Sequence, residues 1–183
     1  MVEMSDLTWK NIVLNLLYYA LTVWLLPSVL LRIESQWGIV WQPLVMLRIV
    51  SLLVGLAGVS LQLWCILVFQ KVGRGTPSPL LPPKNLVTAG PYSRVRNPMN
   101  LGEVLLFLAL SGWFGSPALL FYAGTAWAAF HLFVVCWEEP KLLQAFGHGY
   151  ASYRSAVSRW LPSFWRTRQL TARISPDPRS PTG

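Results

Sequence analysis

Two polar stretches, GPYSRVRNPMNLG (Gly90 to Gly102) and EEPKLLQAFGHGYASY (Glu138 to Tyr153), interrupt an otherwise apolar chain. The residues between them form one apolar run with the length of a helical hairpin. Because a hairpin returns the chain to its starting side, both stretches should lie at the same surface of a membrane. Placing charged groups beside lipid costs free energy, and charged residues found there commonly belong to functional sites. The two stretches together are therefore the candidate functional site.

The composition indicates a small integral membrane protein. The 183 residues are 54% hydrophobic and only 12% charged, and they include ten Trp, which is too apolar for an ordinary soluble domain. The net charge of +8 comes from basic residues that flank apolar runs, a pattern that argues against nucleic acid as a partner. Cys65 and Cys136 both lie within apolar runs, so we expect neither a disulfide framework nor a metal site.

The apolar runs predict an all-α bundle of about four membrane-spanning helices in a single domain, residues 1–165. Pro27 should kink the end of the first run, and Ser51, Gly55 and Gly58 in the second offer a small-residue face for close helix packing. The third run is short, so it should either borrow residues from the polar stretch before it or cross a thinned region of the bilayer. The predicted spans are 9–31, 44–69, 101–114 and 117–137.

The rest of the domain should be a long loop and one further helix. Residues 70–100 contain six prolines, which deny the segment regular helix and stiffen it. Such a loop in so small a protein fits ligand binding, although it could equally be a connector whose basic residues only set the topology. Residues 138–158 should form a C-terminal helix, and residues 166–183, basic and rich in Pro and Ser, a mobile tail.

The positions of the basic residues predict the orientation. Twelve of the fifteen Lys and Arg residues lie in residues 70–97 or after Trp137. Cytoplasmic segments of membrane proteins carry an excess of such residues, so both termini and both polar stretches should be cytoplasmic, as in a multi-pass protein of a bacterial inner membrane. Arg32, Glu34 and Trp37 then belong to an outer loop.

The paired acids Glu138 and Glu139 should need a cation nearby. They follow the end of the fourth span, where the helix dipole disfavours negative charge. Arg96 and Lys84 are candidates from the protein, and a cationic ligand is another.

Two further titratable residues could act as a base. His131 lies two helical turns before Glu138 and should point to the same face, while Glu103 follows Gly102 directly. His131 is the first candidate and Glu103 the second. A packed, hydrogen-bonded histidine and a carboxylate at headgroup depth remain the structural alternatives.

The order and spacing of the motifs resemble a known superfamily. The run LVTAGPYSRVRNPMNLG, followed one hairpin later by EEPKLLQAFGHGYASYRSAVSRWLP, is similar to the isoprenylcysteine carboxyl methyltransferase and phospholipid methyltransferase superfamily of membrane enzymes. The resemblance covers residues 73–162. It implies S-adenosylmethionine as cofactor, bound between the loop and the hairpin ends. The implied cofactor residues are Lys84, Leu86, Val87, Tyr92, Arg96, Asn97, Pro98 and Glu138, with Glu139 beside them.

The resemblance also implies roles for these residues. The backbone of Leu86 and Val87 could bond the adenine edge, and Tyr92 could supply an aromatic wall. Glu138 could accept from the ribose hydroxyls or the α-ammonium group. Arg96 suits a carboxylate of the cofactor or the substrate, and we count it with His131 and Glu103 among the catalytic candidates.

Three positions depart from the family pattern. Asn97 replaces the usual His, Asn100 replaces a Tyr, and Val134 replaces an Arg that binds the carboxylate of prenylcysteine substrates in eukaryotic members. Without that Arg, a carboxylate would lack a partner in a low-dielectric site, which weakens the case for prenylcysteine.

We therefore expect methyl transfer to a hydrophobic, lipid-like or small acceptor at the inner membrane face, with membrane lipids as partners. Three alternatives stay open: a membrane reductase of the sterol type that uses a nicotinamide dinucleotide, a non-catalytic membrane binding protein, and, by analogy only, a denitrification-associated membrane protein.

Overall fold

A computed structural model describes Trp9 and residues 13–38, 42–73 and 85–162 of the chain. These residues confirm the prediction of an all-α fold, since the described part contains helices and a single isolated β-bridge. Short π-helical segments interrupt or extend the helices, at Ala20–Leu25, Phe69–Gly73 and Val134–Glu138. The helices are α1 (Val13–Gln36), α2 (Val45–Val68), α3 (Pro98–Phe114), α4 (Pro117–Phe133) and α5 (Glu139–Ala156).

The helices form a membrane bundle. Three stretches are long and apolar enough to cross a bilayer: Val13–Gln36, Val45–Val72 and Pro117–Ala156. The outer surface of the bundle carries large apolar side chains, of which Phe121 is 78% exposed. A surface of this kind suits lipid rather than water, so the predicted membrane bundle is confirmed.

The first helix continues beyond its predicted end. We expected it to end near residue 31 after a kink at Pro27, but helical structure runs to Gln36. Pro27 lies in the first turn after the π-helical segment Ala20–Leu25, a position where proline is tolerated. Arg32 and Glu34 are therefore helical residues, and the prediction that they belong to an outer loop was wrong.

The third helix does borrow residues from the polar stretch, as predicted. It begins at Pro98, three residues before the apolar run, and has 17 residues. Seventeen residues span about 26 Å, slightly less than the hydrocarbon thickness of a typical bilayer.

Helices α2 and α3 pack through glycines. A Cβ atom on Gly58 would lie 2.6 Å from the carbonyl oxygen of Gly102, and one on Gly55 would lie 3.2 Å from Cβ of Ala109. Contacts this close are possible only where a side chain is absent, so the two backbones approach directly. Gly55 and Gly58 thus form part of a helix-packing face, as the sequence predicted.

A tight turn joins α3 to α4 at what we call the cap end of the bundle, residues 32–38 and 114–118. Gly115 has a φ of 63°, and the Ser116 hydroxyl accepts from the amide of Leu119 at 3.1 Å. Glu34 of α1 accepts from the amide of Ala118 at 2.7 Å and from the Ser116 hydroxyl. A carboxylate at the amino terminus of a helix is stabilised by the helix dipole, so this buried acid ties α1 to α4.

We predict that Gly58→Ala destabilises the bundle, because the added methyl group would meet the backbone of α3, which cannot move aside cheaply. Overpacking of this kind costs about 1–3 kcal/mol. Gly124→Ala in α4 is the matched control, since its Cβ would meet nothing within 4 Å. Thermal unfolding in detergent checks the pair, and equal melting temperatures would contradict the prediction.

Candidate functional site

The two polar stretches meet at one end of the bundle, as predicted. We call this the loop end and define it as residues 85–98 together with Glu138, Glu139 and residues 150–160. The amide of Arg96 donates to the carbonyl of Ser158 at 2.9 Å, and the amide of Asn97 donates to the carbonyl of Arg159 at 3.3 Å. The loop before α3 is therefore paired through its backbone with the segment after α5.

A 3₁₀ turn, Gly90–Ser93, shapes the loop. Gly90 has a φ of 61°, and a Cβ there would lie 2.9 Å from a methyl carbon of Val68, so this position needs glycine both for conformation and for space. The Tyr153 hydroxyl of α5 donates to the Tyr92 carbonyl at 2.6 Å. The turn is thus held between α2 on one side and α5 on the other.

Glu139 is the centre of the loop end. Its carboxylate accepts from Arg96 Nη1 at 2.8 Å and from Arg159 Nε and Nη2 at 2.8 and 3.1 Å, and Arg154 lies 3.8 Å away. The Glu139 and Arg96 side chains are only 6% and 10% exposed. Arg96 was a predicted cation for the paired acids, and that expectation is confirmed.

Arg159 was missed by the sequence analysis. Its hydrogen bond to Glu139 raises the pKa of the guanidinium, which keeps the group charged and paired. The residue lies in a basic tail region whose arginines had been assigned only to topology. The spacing of 20 residues from Glu139 carries no helical signal, because the chain leaves α5 between the two.

Glu138 has different surroundings from its neighbour. It is half-buried and interacts electrostatically with Glu139 and with tyrosines of the loop end, whereas the ion pairs formed by the described arginines are all with Glu139. Burial, followed by the neighbouring Cys65, raises the pKa of the Tyr92 phenol, so this hydroxyl stays protonated at neutral pH. Of the two adjacent acids, Glu139 is neutralised within the protein while Glu138 keeps acceptor capacity beside an aromatic ring.

Two buried donors at the loop end have no hydrogen-bond partner among the described residues: Arg96 Nε and Asn97 Nδ2. Asn97 precedes α3 but makes no capping hydrogen bond with its side chain. An unpaired buried donor costs about 1–3 kcal/mol, and such groups commonly serve a ligand. The pair is suited to an anionic or carbonyl group.

Three of the other implied cofactor residues are buried or packed against the core. Val87 and Pro98 are buried and Leu86 packs against the core formed by Tyr150, Tyr153 and Val157. Lys84 lies outside the described residues. Within the described ranges, His, Cys, Asp and Glu residues nowhere form a group of three that could hold a metal ion.

His131 is held by an aromatic cluster. Trp160 Nε1 donates to His131 Nδ1 at 3.0 Å, and Trp127 lies against the same ring, with centroids 5.7 Å apart. The Nδ1 lone pair therefore already accepts a hydrogen bond from Trp160. The helix changes from α to π at Val134, between His131 and Glu138, so the two-turn α-helical spacing that predicted a shared face does not apply to this segment.

Glu103, the second candidate base, is buried in α3. It accepts a hydrogen bond from the Tyr18 hydroxyl of α1 at 2.7 Å. The sequence of the first span did not predict this contact, because a Tyr-Tyr pair such as Tyr18 and Tyr19 is also typical of residues at a membrane interface.

Apolar helices with a cluster of buried charged residues at one end are typical of an integral membrane protein that has a functional site at the end of its bundle. The chain belongs to the phospholipid methyltransferase family, which residues 46–149 match, more than half of its length. The match runs from α2 into α5 and includes Arg96, Asn97 and both acids. No functionally curated protein matches the chain. The family confirms the superfamily resemblance and implies a methyltransferase.

We predict that Glu139→Gln and Glu138→Gln have different effects on stability. The first leaves the arginines at the loop end without their charge partner, and breaking a buried pair costs about 3–5 kcal/mol. The second removes a charge that no described arginine pairs with, so stability should change little. Denaturant unfolding of both variants in detergent checks this, and equal losses would refute the division between the two acids.

Proposed function

We propose that the protein transfers a methyl group from S-adenosylmethionine to a hydrophobic acceptor at the cytoplasmic face of a membrane, as expected for a bacterial inner membrane. The observation that carries the proposal is the joining of both polar stretches at one end of an apolar bundle, with two buried donors left unpaired there. The family supports methyl transfer, and the distribution of basic residues supports the cytoplasmic orientation.

The residues of the loop end suit this cofactor chemically. Arg96 Nε and Asn97 Nδ2 can donate to its carboxylate, and Glu138 can accept from its ammonium group or ribose hydroxyls. Tyr92 offers a neutral aromatic wall, and the backbone of Leu86 and Val87 offers groups for the adenine edge. The two adjacent acids have different roles in this proposal. Glu139 holds Arg96 in position through an ion pair, and Glu138 binds the cofactor.

The cofactor, when bound, supplies an electrophilic methyl group on a sulfonium. Displacement at that carbon needs little covalent help from the protein, so these residues would bind, orient and exclude water. The apolar surface below the loop end would let the acceptor enter sideways from the lipid while the cofactor enters from the water.

We predict that the purified protein binds S-adenosylhomocysteine and that Asn97→Ala weakens this binding about tenfold, the usual effect of one lost hydrogen bond to a charged group. Because Asn97 does not cap α3, the helix should survive the change. Isothermal titration in detergent measures the affinity. Gln42→Ala, which truncates an exposed amide outside the site, is the matched control.

The same titration with NADPH separates the alternatives. Binding of NADPH without S-adenosylhomocysteine would favour the reductase, and binding of neither would favour a non-catalytic protein. Incubating membranes with isotopically methyl-labelled cofactor, followed by untargeted lipid and small-molecule analysis, would identify the acceptor.

A further inference from the structure

A second polar cluster lies inside the bundle, apart from the loop end. We call it the tyrosine cluster and define it as Tyr18 and Tyr19 of α1, Gln62 of α2 and Glu103 of α3. Tyr18 donates to Glu103 Oε1 at 2.7 Å, and the Tyr19 hydroxyl lies 3.4 Å from Gln62 Oε1, which it faces as a donor. Gln62 and Glu103 are only 7% and 5% exposed. Polar side chains from three helices thus converge at membrane depth, where their burial is expensive.

The packing of α2 against α3 creates the cluster. A Cβ on Gly102 would lie 2.8 Å from Cγ of Gln62, so the missing side chain gives Gln62 its place beside α3. Glu103 is the next residue. It follows Asn97 by six positions, about 9 Å along the helix axis, which is within reach of one ligand-sized molecule bound at the loop end.

The cluster contains both an acceptor and an unused donor. Gln62 Nε2 is buried and has no partner in the described part of the chain, although the oxygen of the same amide faces Tyr19. The carboxylate of Glu103 is an acceptor held in place by Tyr18. A ligand atom that donates to Glu103 and accepts from Gln62 would satisfy both groups.

We propose that the tyrosine cluster binds a hydroxyl group of the methyl acceptor and that Glu103 receives its proton; this deepens the proposed function and rests on it. A hydroxyl oxygen donates and accepts at once. An ammonium group could not accept from Gln62, and a carboxylate would face Glu103 with like charge.

The proposed reaction transfers the methyl group from the sulfonium to the hydroxyl oxygen. The hydroxyl oxygen forms a bond to the methyl carbon, the bond between that carbon and the sulfonium breaks, and its electron pair returns to sulfur. The hydroxyl proton passes to the Glu103 carboxylate. A carboxylate is a weak base, so the hydroxyl must be acidic, as in a phenol or an enol. His131 is less suitable, because its Nδ1 already accepts from Trp160.

The cluster also reaches the lipid-facing surface. Tyr18 is 38% exposed, and Leu14, Leu17 and Leu21 on the same half of α1 are exposed as well. An acceptor with an apolar body could therefore lie against α1 while its hydroxyl enters the bundle. The substrate class is an apolar molecule with a terminal phenolic or enolic hydroxyl.

The first test is binding, independent of turnover. A 4-alkylphenol that carries a diazirine on its chain is photolysed with the full-length protein in liposomes, and labelled peptides are mapped by mass spectrometry. We expect labels on α1 and α3 near Tyr18 and Glu103, competed by 4-dodecylphenol and not by dodecylbenzene. Gln62→Leu should reduce this labelling about tenfold.

The second test is catalysis with the same class of probe. Conversion of 4-dodecylphenol to its methyl ether should fall about a hundredfold or more in Glu103→Gln, the usual loss when a general base is removed, while S-adenosylhomocysteine affinity stays within about twofold. Glu34→Gln is the matched control: it makes the same change at another buried, hydrogen-bonded acid and should leave turnover per folded protein unchanged.

The outcomes separate the two proposals. Equal competition by dodecylbenzene, or labelling that Gln62→Leu does not alter, would overturn the hydroxyl site. So would equal turnover in Glu103→Gln and wild type, or labelling without methyl transfer in a protein that binds S-adenosylhomocysteine. Failure of the wild type to bind S-adenosylhomocysteine would instead overturn the proposed function, and the labelling would still decide whether the cluster takes a hydroxyl.

Discussion

The loop end depends on the charge of one carboxylate. Glu139 draws together three parts of the chain: the loop through Arg96, the helix α5 to which it belongs, and the following segment through Arg159. Each of these groups would be costly to bury alone beside a bilayer, and together they neutralise one another. Because Arg96 is fixed by one of its terminal nitrogens, its Nε is held in a constant position next to Asn97. The ion pairs therefore organise the site without occupying all of its donors.

Most buried polar side chains in the described part of the bundle have a hydrogen-bond or ion-pair partner. At the cap end, Glu34 satisfies the start of α4, and at the loop end Glu139 is saturated by arginines. The exceptions among the described residues are three donors, two beside α3 at the loop end and one on Gln62. Apolar surroundings offer little water to satisfy such groups, and all three donors lie beside the first turns of α3.

Much of this arrangement could be predicted from the sequence, and the rest could not for physical reasons. Apolar run lengths indicated the helices, and the hairpin indicated that the polar stretches would meet. The expectation of a cation beside the acids named Arg96 correctly, but it assumed that a helix ends before Glu138, whereas helical structure continues to Ala156. Periodicity could not tell Glu138 from Glu139, because the π-helical segment Val134–Glu138 ends between them. Contacts between distant helices, such as Tyr18 with Glu103, depend on packing that no local pattern encodes.

The π-helical segment Val134–Glu138 has a consequence for how this family could diversify. A π turn holds one residue more than an α turn, so losing or gaining a single residue there would rotate everything after it by about 100°. Apolar side chains that face lipid would tolerate such a rotation. At the loop end, however, the rotation would turn Glu139 away from Arg96 and Arg159 and bring Glu138 towards them. Segment length, more than residue identity, therefore determines which of the two carboxylates faces the arginines.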